Sequence, residues 1–193
     1  MQAAQQFDLP AEIPVYDDFA ADSSTGGPMV KSGTFPWGQI HGVVQLAYWL
    51  PEYVTGDIER YTELANASEY AQSIEYFAPV QGLSTFYSTS TLLRAVAACM
   101  ESGADYNDHE VLNKAISEVN WEDSMGEHFF RDFDHCLTNT LFFGTADTLN
   151  EETGTPICSD IKAYTWEEQM PSKADYREYC ESIGFDHQGR FDD

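Results

Sequence analysis

What most constrains the fold is that a strongly acidic chain is also rich in aromatic side chains. Asp and Glu number 33 against 9 Lys and Arg, a formal charge of −24, yet the same 193 residues hold 12 Phe, 11 Tyr and 4 Trp. Disordered acidic segments combine high charge with few aromatics, because they cannot bury enough apolar surface to offset chain entropy. This chain can, so it is expected to fold, and its length suits one domain. The acidic excess runs through residues 1–36, 37–143 and 144–193 alike, so the folded surface itself is expected to be negative. A sequence pI near 4.2 sets the chain against nucleic-acid phosphates and anionic lipid, and no basic patch offsets it, so direct binding to either is excluded.

The start, Met1 to Asp8, lacks the basic residues and apolar run of a secretory signal, and the chain is expected in the cytoplasm, that of a host cell if a phage or plasmid encodes it. The most apolar stretch, Ile40 to Val54, is broken by His41, Gln45, Pro51 and Glu52, short of the roughly 20 apolar residues that span a bilayer. Cys99, Cys136, Cys158 and Cys180 contain no C-x-x-C pair and read as reduced thiols that mostly fill core.

Periodicity points to a mainly α fold (α or α+β), a single compact domain of about five helices over 37–193, with room for a small β-hairpin. Residues 1–36 read as an extended N-terminal arm, where Pro10, Pro14, Pro28 and Pro36 oppose long helices and Ser23-Ser24-Thr25-Gly26-Gly27 reads as flexible. Within the arm, Phe7-Asp8-Leu9-Pro10 and Val15 to Phe19 alternate apolar and acidic groups. Helices are expected from Asp57 toward Phe77 before Pro79, over 89–102 with Leu92, Leu93, Val96, Ala97 and Met100 as its apolar face and Gly103 as its stop, from the Asp108 cap to Val119, over 123–143, and after a capping box at Ser172. The best strand candidates are 43–49 and 156–164.

On the expected helix over 123–143, His128, Asp132 and His135 stand at i, i+4 and i+7 and share one side, a geometry able to hold a divalent transition metal. Zinc-protease and di-iron spacings are missing, and Phe129, Phe130 and Phe133 fit a packed face beside solvated polar groups, so no metal or other cofactor is assigned. Phosphate-binding glycine motifs and the G-x-S-x-G elbow are also missing. His135 and Cys136 are neighbours in sequence but diverge by about 100° on a helix, which sets thiol and imidazole apart. No catalytic residue is assigned, and an enzyme is not the favoured class.

The acids themselves carry the favoured reading. Carboxylates four apart on a helix stand about 5–6 Å apart, a spacing able to copy a track of phosphates. Glu59, Glu63, Glu69 and Glu75 form one candidate track, with no Lys or Arg between Lys31 and Arg60 or between Arg60 and Arg94. Asp105, Asp108, Glu118, Glu122, Asp123 and Glu127 form a second, and Glu178 and Glu181, with Glu151, Glu152, Glu167, Glu168 and Asp175, a third. The expected function is a non-enzymatic inhibitor that mimics DNA and occupies the basic groove of a nuclease or other nucleic-acid-binding complex, in the manner of anti-restriction or anti-CRISPR proteins. Tyr48, Trp49, Tyr53, Trp121, Tyr164 and Trp166 are candidate interface anchors, with core packing the alternative for most of them. Three other readings stay open: a viral structural or assembly protein whose arm laces copies together, an acidic protein of a high-salt cell, and a metal-dependent enzyme using the histidine cluster.

Overall fold

The computed structural model describes residues 13–18 and 23–185, which form two compact units. Phe7 to Pro10 and Phe19, part of the expected arm, lie outside the described residues. The first unit runs to Gln81 and takes up the chain again at 141–163; the second holds 82–140 and the residues from Tyr164 on.

The mainly α expectation is overturned: the fold is mixed α/β, 42% helical and 21% strand, around a five-stranded mixed sheet. In the first unit β1 (Val15–Asp17) pairs in parallel with β2 (Ile40–Val44). The second unit contributes β3 (Asn120–Asp123) and β4 (Gly126–Phe129). Back in the first unit, β5 (Leu141–Asn150) lies antiparallel to β2, with β6 (Thr155–Cys158) antiparallel on its other side and β7 (Lys162–Tyr164) also paired to β5. Of the strand candidates, 43–49 meets β2 only at Val43 and Val44, its remaining residues lying outside any strand, and 156–164 divides into β6 and β7. β2 alternates strictly between buried and half-buried residues, and the first half of β5 does the same. Gly42 faces Gly144 across the ladder. A methyl group on Gly42 would strike the Asp17 carbonyl oxygen, and one on Gly144 would crowd the Cys158 and Ile161 side chains, so both positions require the smallest residue.

The Ser-Ser-Thr-Gly-Gly stretch belongs to helix α1 (Ser23–Lys31) and is not an extended arm. Its glycines are consumed by close packing, Gly26 against the Pro156 ring and Gly27 against Tyr76, and the Ser23 hydroxyl accepts from the Gln81 side chain at 2.6 Å. α2 (Asp57–Ala67) and α3 (Glu69–Ser73) are separated at Ser68, whose hydroxyl caps α3 through the Ala71 amide. Ile58, Leu46, Ala47, Phe142, Ala146 and Cys158 are fully buried, and Tyr53 lies against the Phe142 ring with centroids 4.5 Å apart. Burial pushes the Tyr61 hydroxyl, which donates to the Gln81 carbonyl, and the Cys158 thiol up to about 12.

The second unit opens with α4 (Leu83–Ser102), closed by Gly103 in the left-handed conformation as expected, and α5 (His109–Ser117), capped by Asp108 as expected. The buried face of α4 is not the expected one. Leu83, Tyr87, Thr91, Ala95 and Cys99 point inward at four-residue steps, while Leu92, Leu93 and Met100 are exposed. A helix with apolar groups on several sides leaves the choice of face to its neighbours. α6 (Trp166–Gln169) and α7 (Lys173–Ser182) both start in capping boxes, the latter at Ser172. Among the described residues no helix is long and apolar enough to cross a membrane.

The expected helix over 123–143 does not exist. The Asp123 carboxylate accepts the Met125 amide at 2.7 Å and Gly126 takes φ 100°, so the chain reverses there and β3 pairs antiparallel to β4. Period-two burial decides the outcome: Trp121 and His128 face in, Glu122 and Glu127 out. His135 at φ 56° closes a second reversal, organised by Arg131. This guanidinium and the Asp134 carboxylate form an ion pair with side chains only 4% and 5% exposed; Nε donates to Oδ1 at 3.1 Å, and Nη1 donates to the Pro171 carbonyl at 2.7 Å. Burial alone would raise the Asp134 carboxyl, but hydrogen bonds from Arg131 and the Cys136 amide outweigh it and hold the carboxyl below its ordinary range. Its stabilisation is therefore complete above the unfolded value near 3.9 and is lost as pH falls through the lower folded value. Asp134→Asn is expected to lower stability by about 3 kcal/mol at pH 7, since it strands a buried guanidinium. Denaturant melts of both proteins check this, and the gap should narrow below about pH 4.

Candidate functional site

The expected acidic tracks can be followed residue by residue. In the first unit Glu59, Glu63, Glu69 and Glu75 are all exposed on α2, α3 and the segment after α3, but Glu63 pairs with Arg60 at 3.3 Å and Glu75 with Lys31 at 2.5 Å. The Lys31 hydrogen bond holds the Glu75 carboxyl below its usual range, and the same contact raises the lysine. In the second unit Asp105 accepts both the backbone and side-chain N–H of Asn107, which lowers its carboxyl, and Asp108 is committed to capping α5. Glu118 lies 3.8 Å from Lys114, Glu127 accepts from the Asn120 amide, and Glu122 is exposed. Asp123 departs from the expectation: its side chain is fully buried, so it cannot meet a partner. Glu178 is exposed and Glu181 pairs with Arg177 at 3.0 Å. Because 123–143 is a hairpin followed by turns, the second track is not a helical row.

The histidine cluster is dispersed for the same reason. Asp132 is exposed at 3.9 Å from Lys173, and His135 is exposed on its turn. His128 is buried, with Nε2 at 2.9 Å from the Asp123 carboxylate and Nδ1 at 2.9 Å from the Thr138 carbonyl oxygen. The Tyr87 hydroxyl donates to the other Asp123 oxygen, and the Trp121 ring stacks on the imidazole at 4.7 Å. With both nitrogens occupied, no lone pair is offered to a metal. Among the described residues no group of three His, Cys, Asp or Glu is placed to hold one. This polar knot locks the β3–β4 turn onto α4, and Arg94 lies over the outer face of Trp121 at 5.2 Å.

Among the described residues, two grooves offer places for a ligand. In the second unit, α4 and α5 enclose ≈ 720 Å³ lined by Arg94, Lys114, Glu118 and small apolar residues. In the first unit a groove of ≈ 680 Å³ has a more varied wall. Tyr48 and Trp49, edge to face with centroids 5.1 Å apart, form one side with Phe77. α2 supplies Thr62 and Asn66, α3 supplies Gln72, and the β5–β6 turn supplies Asn150, Glu152 and Thr153. That turn is fixed by Asn150, whose side-chain oxygen accepts the amides of Glu152 and Thr153. Tyr48 is anchored through Thr155 at 3.1 Å, and the Trp49 indole N–H donates to the Cys158 carbonyl at 3.1 Å. Thr62 Oγ1 is buried in this wall and meets no hydrogen-bond partner among the described residues. Size and mixed lining suit a small amphiphilic solute. Sequence reasoning picked out Tyr48, Trp49, Glu75 and Glu152 for a protein interface and missed Thr62, Asn66, Gln72 and Asn150, among which the local signal was the turn chemistry of Asn150.

No family model matches the chain, and no curated protein does. Among solved structures, a leucine-, isoleucine-, valine-, threonine-, and alanine-binding protein from Brucella ovis, in its closed conformation, is similar in fold, with a TM-score of 0.57 and 14% identity. The match covers 89% of this chain and 41% of that one, so this chain spans less than half the length of the protein it resembles. At that identity the likeness is one of fold, and it agrees with the mixed α/β architecture.

Cys99, Cys158 and Cys180 are buried and Cys136 is exposed. Partial burial and then the Asp134 carboxylate push the Cys136 thiol up, the opposite of an activated nucleophile. Labelling of the native protein with a disulfide reagent at pH 8 should titrate a single thiol, more slowly than free cysteine, and Cys136→Ser should abolish the signal.

Proposed function

We propose that this chain binds a small organic solute of the amino-acid class without transforming it, and that the groove beside Tyr48 and Trp49 takes part in holding it. The observation that carries the reading is the fold likeness over 89% of the chain to a protein that binds leucine, isoleucine, valine, threonine and alanine. Function transferred through fold is analogy. The groove supports it with aromatic walls for an aliphatic side chain and amides and hydroxyls for polar ends. The test is calorimetric titration with those five amino acids, coupled to thermal melting. Saturable binding with a Kd below about 1 mM is expected, together with a stabilisation near 2.7 kcal/mol at a hundredfold excess over Kd. Absence of heat and of any melting shift with all five at about 10 mM would refute it.

A second reading is favoured by one specific observation, the charge of −24 with exposed Glu59, Glu63 and Glu69 on successive helices of one unit. We infer for it a mimic of DNA that enters the basic groove of a nucleic-acid-binding complex in a cytoplasm, a setting to which the free thiols are suited. Competition against duplex DNA for a panel of nucleases should show displacement that fades steeply with salt. Failure to displace DNA at about 50 mM salt counts against it.

A further inference from the structure

We propose that the groove of the first unit selects its ligand through an ammonium group, and that a carboxylate on the ligand adds little there. This rests on the small-solute reading and goes further, to which end of the solute is recognised. The wall contains two carboxylates, Glu75 and Glu152, and no Lys, Arg or His. Glu75 is already matched by Lys31, which leaves Glu152, exposed on the β5–β6 turn, as the charge that faces an incoming ligand. Tyr48 and Trp49 spend their polar atoms on Thr155 and on the Cys158 carbonyl and meet edge to face, so what they bring to the groove lining is aromatic surface, which attracts cations. An anionic group placed there would meet the Glu152 carboxylate and quadrupole faces, with the neighbouring Lys31 already committed to Glu75, in a molecule of net charge −24. A primary ammonium attached to a short branched alkyl chain matches this lining, with its charge for Glu152 and its alkyl part for Phe77 and the aromatic pair.

The decisive comparison uses three molecules of one shape: leucine, 3-methylbutylamine, which keeps the ammonium only, and 4-methylpentanoate, which keeps the carboxylate only. Each is titrated into the full chain at constant ionic strength. Binding is read by calorimetry and by ¹⁵N shifts of the Trp49 indole and of the Asn66 and Gln72 side-chain amides. The amine should bind within about tenfold of leucine and move those three signals, and the acid should move none. Glu152→Gln, on an exposed turn, should weaken the amine by roughly three- to fivefold without altering the melting temperature. Simple condensation of cations on an acidic protein would give shifts scattered over the surface, unchanged by Glu152→Gln and abolished by moderate salt; that result overturns the proposal. If leucine and the acid bind while the amine does not, the small-solute reading stands and the ammonium proposal falls. If none of the three binds, the ammonium proposal falls, and the small-solute reading falls with it only when the other four amino acids also fail to bind.

Discussion

The first unit depends on one long-range pairing, β2 against β5, which joins His41 to Thr145 and Val44 to Phe142 across about a hundred residues of chain. Closing so large a loop costs entropy that grows only slowly with length, and the antiparallel ladder with its buried Ile40, Val44, Phe142 and Ala146 offsets it. Everything that shapes the groove hangs on this registration. β5 leads into the Asn150 turn that presents Glu152 and Thr153, β6 offers the Cys158 carbonyl that orients Trp49, and β6 is also the platform on which α1 sits through Gly26 and Pro156. The Gly42 and Gly144 pair lets the backbones and Cys158 come close enough for this arrangement.

Charge works differently in this protein from what its magnitude suggests. A net −24 destabilises a compact chain through self-repulsion, yet the few bases are placed where they matter. Arg131 is buried in a paired network, Arg94 covers Trp121, and Lys31 holds Glu75. Many of the acids do local work, as the cap Asp108, as Asp175 accepting the Ser172 amide in its capping box, as the turn-former Asp123, and as the Ser159 acceptor Asp147, where burial pushes up and the hydrogen bonds prevail to leave the carboxyl low. The acids of the proposed tracks are thus a mixture of structural groups and free surface charge, and Glu152 gains its interest from being one of the latter beside a groove.

How much could be read beforehand followed the range of the interactions involved. The caps at Asp108 and Ser172, the Gly103 stop and the core role of three cysteines were legible, because each is decided within a few residues or by composition. Residues 123–143 were not. Phe129, Phe130 and Phe133 satisfy a helical spacing, whereas Trp121 and His128 share a face only as partners across two strands, and the Asp123 carboxylate, folded back on the Met125 amide, selects the hairpin. The same ambiguity put the apolar face of α4 on Leu92, Leu93 and Met100 instead of Tyr87, Thr91 and Ala95. The groove was illegible, since Tyr48, Thr62, Gln72 and Asn150 share no local pattern and meet only through the sheet.

By itself the sequence determined that this chain folds, that its surface is acidic, and where several helices begin and end, because burial capacity, charge and capping are properties of composition and near neighbours. Only the tertiary structure decided that the fold is mixed α/β, that Asp123 and His128 are buried partners and not surface groups, and which side chains line the groove. Those outcomes turn on contacts between residues far apart in the chain, where several local patterns are nearly equal in energy and packing chooses among them.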